Sequence, residues 1–107
     1  LSEPITTERM ESAMMFLAET DDSYALAKTD VLRAEILAKR ARARIFMASE
    51  GNVESRKAAA EGHGEVTSAD DELVRATLEY ESLRAKRQRA ELLIEVYRTV
   101  EASRRKT

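Results

Sequence analysis

Eight arginine and lysine side chains fall between Arg84 and Thr107 against three glutamates, in a run that also carries apolar residues at helical spacing. Arg84, Lys86, Arg87, Arg89, Arg98, Arg104, Arg105 and Lys106 are of the type that grips a phosphate backbone, because clustered cations displace condensed counterions without reading bases. The same charge can instead form the solvated face of a helix, paired to carboxylates within the fold. Two observations weigh against a dedicated nucleic-acid binder. The formal net charge of the chain is −2, and its tyrosines, Tyr24, Tyr80 and Tyr97, fall at positions better suited to a helical core than to stacking on bases.

Other chemistry-bearing residues are sparse. His63 is the one histidine, in "EGHGE", so a metal site would have to draw on Glu61 and Glu65 of the same turn, and a serine triad would need that histidine too. A solvated loop histidine is the simpler reading. "TDDS" and "ADDE" gather carboxylates, but each stands where a helix is expected to start, and acidic side chains there complement the helix dipole. The sequence has no glycine-rich phosphate loop, and no cysteine to serve as nucleophile, thiolate ligand or disulfide partner. The expectation is therefore a non-enzymatic protein with no catalytic residue, no cofactor and no metal.

The elements that position these residues are legible from composition and periodicity. Charged residues make up 36% of the chain and hydrophobic ones 43%, with three glycines, one proline and no tryptophan, a balance that fits long amphipathic helices. A length of 107 residues fits a single domain, here a single helical domain over 1–107. No apolar run approaches the roughly 18 residues that span a bilayer, and "LSEPITTERMESAM" is acidic where a signal peptide is basic, so a soluble chain with no membrane contact is expected. The chain begins at Leu1 rather than Met, consistent with a missing or altered start.

Thr6 or Thr7 can cap a short helix over about 7–19, with Met10, Ala13, Met14 and Leu17 along one side and the methionines filling gaps in the core. Thr20, followed by Asp21 and Asp22, predicts a bend and a new long helix over about 21–50 that ends at Gly51. Asn52 caps a brief helix within a connector over 51–67, broken at "GHGE". Ser68 then caps a second long helix over about 69–104.

In the first long helix Tyr24, Ala27, Val31, Ala34, Ala38, Ala41, Ile45 and Ala48 alternate at intervals of three and four, a heptad seam made largely of alanine. In the second, Leu73, Ala76, Tyr80, Leu83, Arg87, Ala90, Ile94 and Tyr97 do the same, with Arg87 the one charged member. The fold class predicted is all-α, a long antiparallel helical hairpin of coiled-coil type with a short N-terminal helix. With Ala48 near Leu73 and Tyr24 near Tyr97, Glu35 is expected beside Arg84, Lys86 and Arg87, and "KRARAR" beside Glu79 and Glu81. Leu26, Leu32, Ile36, Leu37, Phe46 and Met47, together with Leu78, Leu92, Leu93, Val96 and Val100, lie off the seams. The short helix and a second copy of the chain are expected to cover them, giving a helical-bundle homodimer. Dimers and tetramers share this heptad pattern.

The run "LEYESLRAKRQRAELLIEVYRTVEASRR", with "FLAETDDSYALAK" nearer the N-terminus, resembles small uncharacterised all-helical proteins from the early regions of tailed bacteriophages of Gram-negative hosts. Their genes often lie near those for single-strand annealing, recombination or replication. The likeness spans most of the chain and carries no catalytic signature. It implies an accessory role in phage DNA metabolism in the cytoplasm of a bacterial host. Of two functions compatible with it, the resemblance favours the first, and the charge pairing within the fold favours the second as the alternative. One is contact with a single- or double-stranded DNA backbone through "RAKRQR" and the "SRRKT" tail on a dimeric scaffold. The first also takes in assistance to a recombination or replication protein; the other is a protein-interaction adaptor, engaging a nuclease, recombinase or host factor through exposed helix faces or the "GHG" connector, without touching nucleic acid.

Overall fold

The computed structural model describes residues 5–106, so Leu1 to Pro4 of the acidic N-terminal run and Thr107 of the basic tail lie outside the described residues. Among the described residues the chain forms three helices and no strand: α1 (Thr7–Ala48), α2 (Val53–Glu61) and α3 (Gly64–Lys106). Early residues of α1 bond late residues of α3, as Thr7 does Tyr97, and late residues of α1 bond early residues of α3, as Arg42 does Asp70. The fold is the antiparallel all-α hairpin that the two seams predict.

The helix boundaries differ from expectation in two places. The short helix over 7–19 and the long one over 21–50 are one unbroken helix, with no bend at Thr20. Thr20 does not cap a helix: its hydroxyl donates back to the carbonyl of Phe16 at 2.7 Å, and Ser23 donates to the carbonyl of Thr20 at 3.1 Å, bonds that a hydroxyl makes inside a continuing helix. Neither glycine nor proline interrupts "AETDDS". Met10, Ala13, Leu17 and Thr20 also continue the Tyr24 seam in phase, so a single buried stripe runs through the expected bend.

The second difference concerns the start of α3, which lies at Gly64 rather than near residue 69. His63 is its cap. The His63 carbonyl accepts from the amides of Val66 and Thr67, both at 3.1 Å, and its Nδ1 accepts from the amide of Glu65 at 3.1 Å. Ser68, Asp70, Asp71 and Glu72 therefore lie inside the helix rather than at its first turn. Val66, expected in the connector, is fully buried. At the other junction Gly51 takes a φ of 106°, and the Asn52 side chain accepts from the amide of Ser55 at 2.8 Å, both as predicted. Thr6 is the cap of α1, its hydroxyl accepting from the amide of Arg9 at 3.2 Å.

The chain packs as two units. Unit 1 contains residues 5–25 and 81–106, and unit 2 contains residues 26–80. In unit 2 the buried positions are small: Ala34, Ala38, Ala41, Ala60, Val66 and Ala76, with Val31, Ile45, Leu73 and Tyr80 half-buried on the same stripes. In unit 1, Ala13, Ala90 and Ile94 form a cluster with Met10, Phe16, Leu17 and Leu93 packed against it, while Leu83 and Tyr97 are half-buried. All the seam residues named from sequence are buried or half-buried apart from Ala48, which is exposed beside the helix end. Of the methionines expected to fill core gaps, Met10 does so, but Met14, Met15 and Met47 are exposed.

The pairing register also differs. Tyr97 donates to or accepts from Thr7 at 2.9 Å instead of lying by Tyr24, and the ring of Tyr24 instead stacks under the Arg87 guanidinium, 4.9 Å from ring centre to Cζ. The first turns of α1, once joined to the rest of the helix, occupy the end of α3 that Tyr24 was expected to face. In unit 1 the residue of α1 that meets Tyr97 is Thr7 in place of Tyr24, and the one that meets Arg87 is Asp21 in place of Glu35, a slide of about four to five turns.

Candidate functional site

The side chains named as phosphate contacts divide according to what they touch. Arg87 is the most committed. It sits at a seam position with its side chain only 13% exposed, and it donates to the Leu17 carbonyl at 2.9 Å, the Thr20 hydroxyl at 2.7 Å and the Asp21 carboxylate at 2.7 Å. A guanidinium with donors in a fixed fork suits such a three-way contact, and the Tyr24 face covers its apolar plane. Asp21 is therefore the partner of Arg87 where Glu35 was expected. Arg84 pairs with Glu81 at 3.3 Å and Arg104 with Glu101 at 3.2 Å, both within one turn of α3. Arg104, Arg105 and Lys106 form the last turn, where cations complement the negative end of the helix dipole.

Lys86, Arg89, Arg98, Arg105 and Lys106 make no ion pair among the described residues. The structure brings Lys86 and Arg89 together with Arg9, which sequence reasoning missed because only the pairing register places it opposite them. These three surround a shallow depression of about 340 Å³ with Ala13, Phe16, Ala90 and Leu93 in its floor, and none of the described residues in its lining is a carboxylate. A second depression in unit 1, about 540 Å³, is lined by Met14, Leu17, Ile94 and Arg98 together with Glu91 and Glu95. Arg98 thus faces a mixed rim rather than a basic one.

Unit 2 uses its arginines internally. Arg42 donates from Nε to Glu61 at 2.7 Å, and from Nη1 and Nη2 to Asp70 at 2.8 and 2.5 Å, so one guanidinium ties α1 to both α2 and α3. Arg44 pairs with Glu65, and Arg75 bonds Glu72 and, at 2.7 Å, Glu79. The carboxylates of "KRARAR" are thus Glu61, Asp70 and Glu65, where Glu79 and Glu81 were expected. The hydrogen bond from Arg42 holds the Asp70 carboxyl below the ordinary aspartate range. Hydrogen bonds from Arg44 and Arg75 do the same to Glu65 and Glu72, and Asp70, ahead of Glu61, fixes Arg42 in its charged form. Arg56 of α2 lies over the Phe46 ring at 5.7 Å.

His63 has a structural partner, since its Nδ1 accepts the Glu65 amide. Glu65 turns to Arg44 and Glu61 to Arg42, so the carboxylates nearest the histidine in sequence are bonded to other groups. Among the described residues no group of three or more histidine, aspartate or glutamate side chains could hold a metal ion. No helix among them is long and apolar enough to cross a membrane.

The geometry offers a basic-rimmed apolar depression in unit 1, and large exposed apolar side chains on the outer faces of α1 and α3, among them Leu32, Ile36, Met47, Val74, Leu78 and Leu92. Compared with known proteins, the chain matches no family model, no curated protein and no solved structure.

Proposed function

We propose that this chain is a non-enzymatic interaction protein: a homodimeric helical adaptor that captures a partner protein through the basic-rimmed depression of unit 1. The observation that carries this reading is the composition of that depression. Lys86 and Arg89, which make no ion pair among the described residues, stand with Arg9 around an apolar floor that includes Phe16 and Leu93. Such a site fits a helix or loop of a partner that presents carboxylates beside large apolar side chains. In the context implied by the phage resemblance, the partner is a recombination or replication protein of the infected cell's cytoplasm.

The test is affinity capture from infected cells with the native chain and with R9E/K86E/R89E. Capture of one defined protein, unaffected by nuclease and lost in the reversed variant, supports the adaptor. Equal capture by both chains removes the depression from the role.

A second reading, contact with a DNA backbone, is favoured by Lys86, Arg89, Arg105 and Lys106, exposed and without an ion pair among the described residues. Fluorescence anisotropy with labelled single- and double-stranded oligonucleotides at about 50 and 200 mM salt separates the two, because several phosphate contacts lose orders of magnitude in affinity over that range. Tight, steeply salt-dependent binding would replace the adaptor reading.

A further inference from the structure

We infer that two copies of the chain pair α1 against α1 in antiparallel orientation, the acidic outer strip of unit 1 in each copy seated on the apolar, basic-flanked outer strip of unit 2 in the other. This rests on the homodimeric part of the adaptor reading and specifies which surfaces meet.

The strip in unit 2 consists of Leu32, Ile36, Ala43 and Met47. Their spacings of four, seven and four residues place them on one face of α1, opposite the buried Ala34, Ala38 and Ala41. Leu32 is 53% exposed, Ile36 49% and Met47 76%. A helix that is apolar on opposite faces belongs to the class buried on both. Lys39 and Arg40 flank this strip on either side and make no ion pair among the described residues, while Arg33 beside it is held only by Asp30 at 3.9 Å.

The strip in unit 1 is complementary in charge to these flanking bases. Glu8, Glu11, Met15, Glu19 and Asp22 recur at spacings of three, four, four and three, opposite the seam residues Ala13, Leu17 and Thr20. All five are exposed, and none of the four carboxylates is in an ion pair among the described residues. Residues 7–26 carry five carboxylates and one base, and residues 27–48 carry six bases and two carboxylates. A parallel α1 pair would set acid on acid and base on base. An antiparallel pair sets each acidic strip on a basic-flanked one, and a two-fold axis makes the contact twice. This self-complementarity argues for a second copy over an unrelated partner.

Size-exclusion chromatography with light scattering tests the pairing on three chains: native, E11K/E19K and K39E/R40E. The native chain is expected to elute with dimer mass. Each reversed variant should bind itself about a hundredfold more weakly, with helicity by circular dichroism unchanged, and the two variants mixed in equal amounts should recover a dimer, since every contact is again between opposite charges. A native dimer that neither reversal weakens overturns the α1 pairing and leaves the homodimer standing. A monomeric native chain overturns both. Variants that lose helicity alone and do not recover it on mixing also overturn the pairing.

Discussion

In unit 2 the buried seam of α1 is Ala34, Ala38 and Ala41, whereas unit 1 fills the same heptad positions with Met10, Ala13, Leu17 and Thr20 opposite Arg87, Ala90 and Ile94. The two solutions fix register by different means. Alanine lets helices approach closely but has little shape with which to choose among registers, so unit 2 relies on Arg42, which reaches α2 and α3 at once, and on Arg44. Unit 1 has bulk enough to lock by packing, and the space between its larger side chains admits a charged seam residue that makes three hydrogen bonds to α1. One hydrophobic repeat can thus be completed by electrostatics in one region and by side-chain shape in another.

The difference can be broken most forcefully by exchanging the two kinds of residue. Ile94→Ala removes bulk where packing holds the helices and should cost about 3 kcal/mol. Ala38→Leu adds bulk where the approach is close and should cost about 2 kcal/mol. Denaturant unfolding measures both, and an Ala38→Leu change within about 0.5 kcal/mol would show that unit 2 is not tightly seated. Arg87→Ala comes next, with a loss of about 2 kcal/mol as three hydrogen bonds disappear. Arg87→Met should recover most of that by filling the same volume with apolar atoms. If methionine is as damaging as alanine, the guanidinium specifies the contact in a way packing cannot replace.

A smaller effect is expected at the start of α3. His63→Ala removes the side-chain acceptor for the Glu65 amide and should cost about 1 kcal/mol. Ser68→Ala, inside the helix and exposed, should stay within about 0.5 kcal/mol. Equal losses at the two positions would move the cap back to Ser68.

Asp70→Asn speaks to the electrostatic half of the comparison through its pH dependence. The Asp70 carboxyl titrates lower in the folded chain than in the unfolded one because Arg42 bonds its charged form. Its contribution is therefore complete above the ordinary aspartate range and is lost as pH falls through the depressed folded value. Thermal unfolding followed from about pH 5 to about pH 2 should decline more steeply for the native chain than for the Asn variant. Parallel curves would mean that Arg42 does not hold unit 2 through Asp70.

Both seams could be read from the sequence because each is a strict repeat of small and apolar residues, and periodicity is a property of the chain itself. The register between them could not. It depended on whether α1 continued through Thr20, and the threonine–aspartate signal there is ambiguous: the same hydroxyl can cap a new helix or bond back into an old one. The decisive clue was present in the phase of Met10, Ala13 and Leu17 with Tyr24, which requires a continuous helix to have any meaning. With the register there off by about four turns, Glu35 displaced Asp21 as the expected partner of Arg87, and the place of Arg9 beside Lys86 and Arg89 was not legible. His63 was hidden for a different reason, since flanking glycines read as loop and a histidine cap leaves no strong sequence signature.

The bonds made by Arg42 span 19 and 28 residues of sequence, while that from Arg87 to Asp21 spans 66 and that from Thr7 to Tyr97 spans 90. Closing a longer loop costs more chain entropy before any contact repays it. Folding is thus expected to nucleate around α2 and to zip outward toward the two termini. In stopped-flow measurements, Ala76→Gly in unit 2 should mainly slow refolding and Ile94→Val in unit 1 mainly hasten unfolding; the opposite pattern would place the nucleus at the termini. On that route the contact between Thr7 and Tyr97 is the last to form, and the first to be lost.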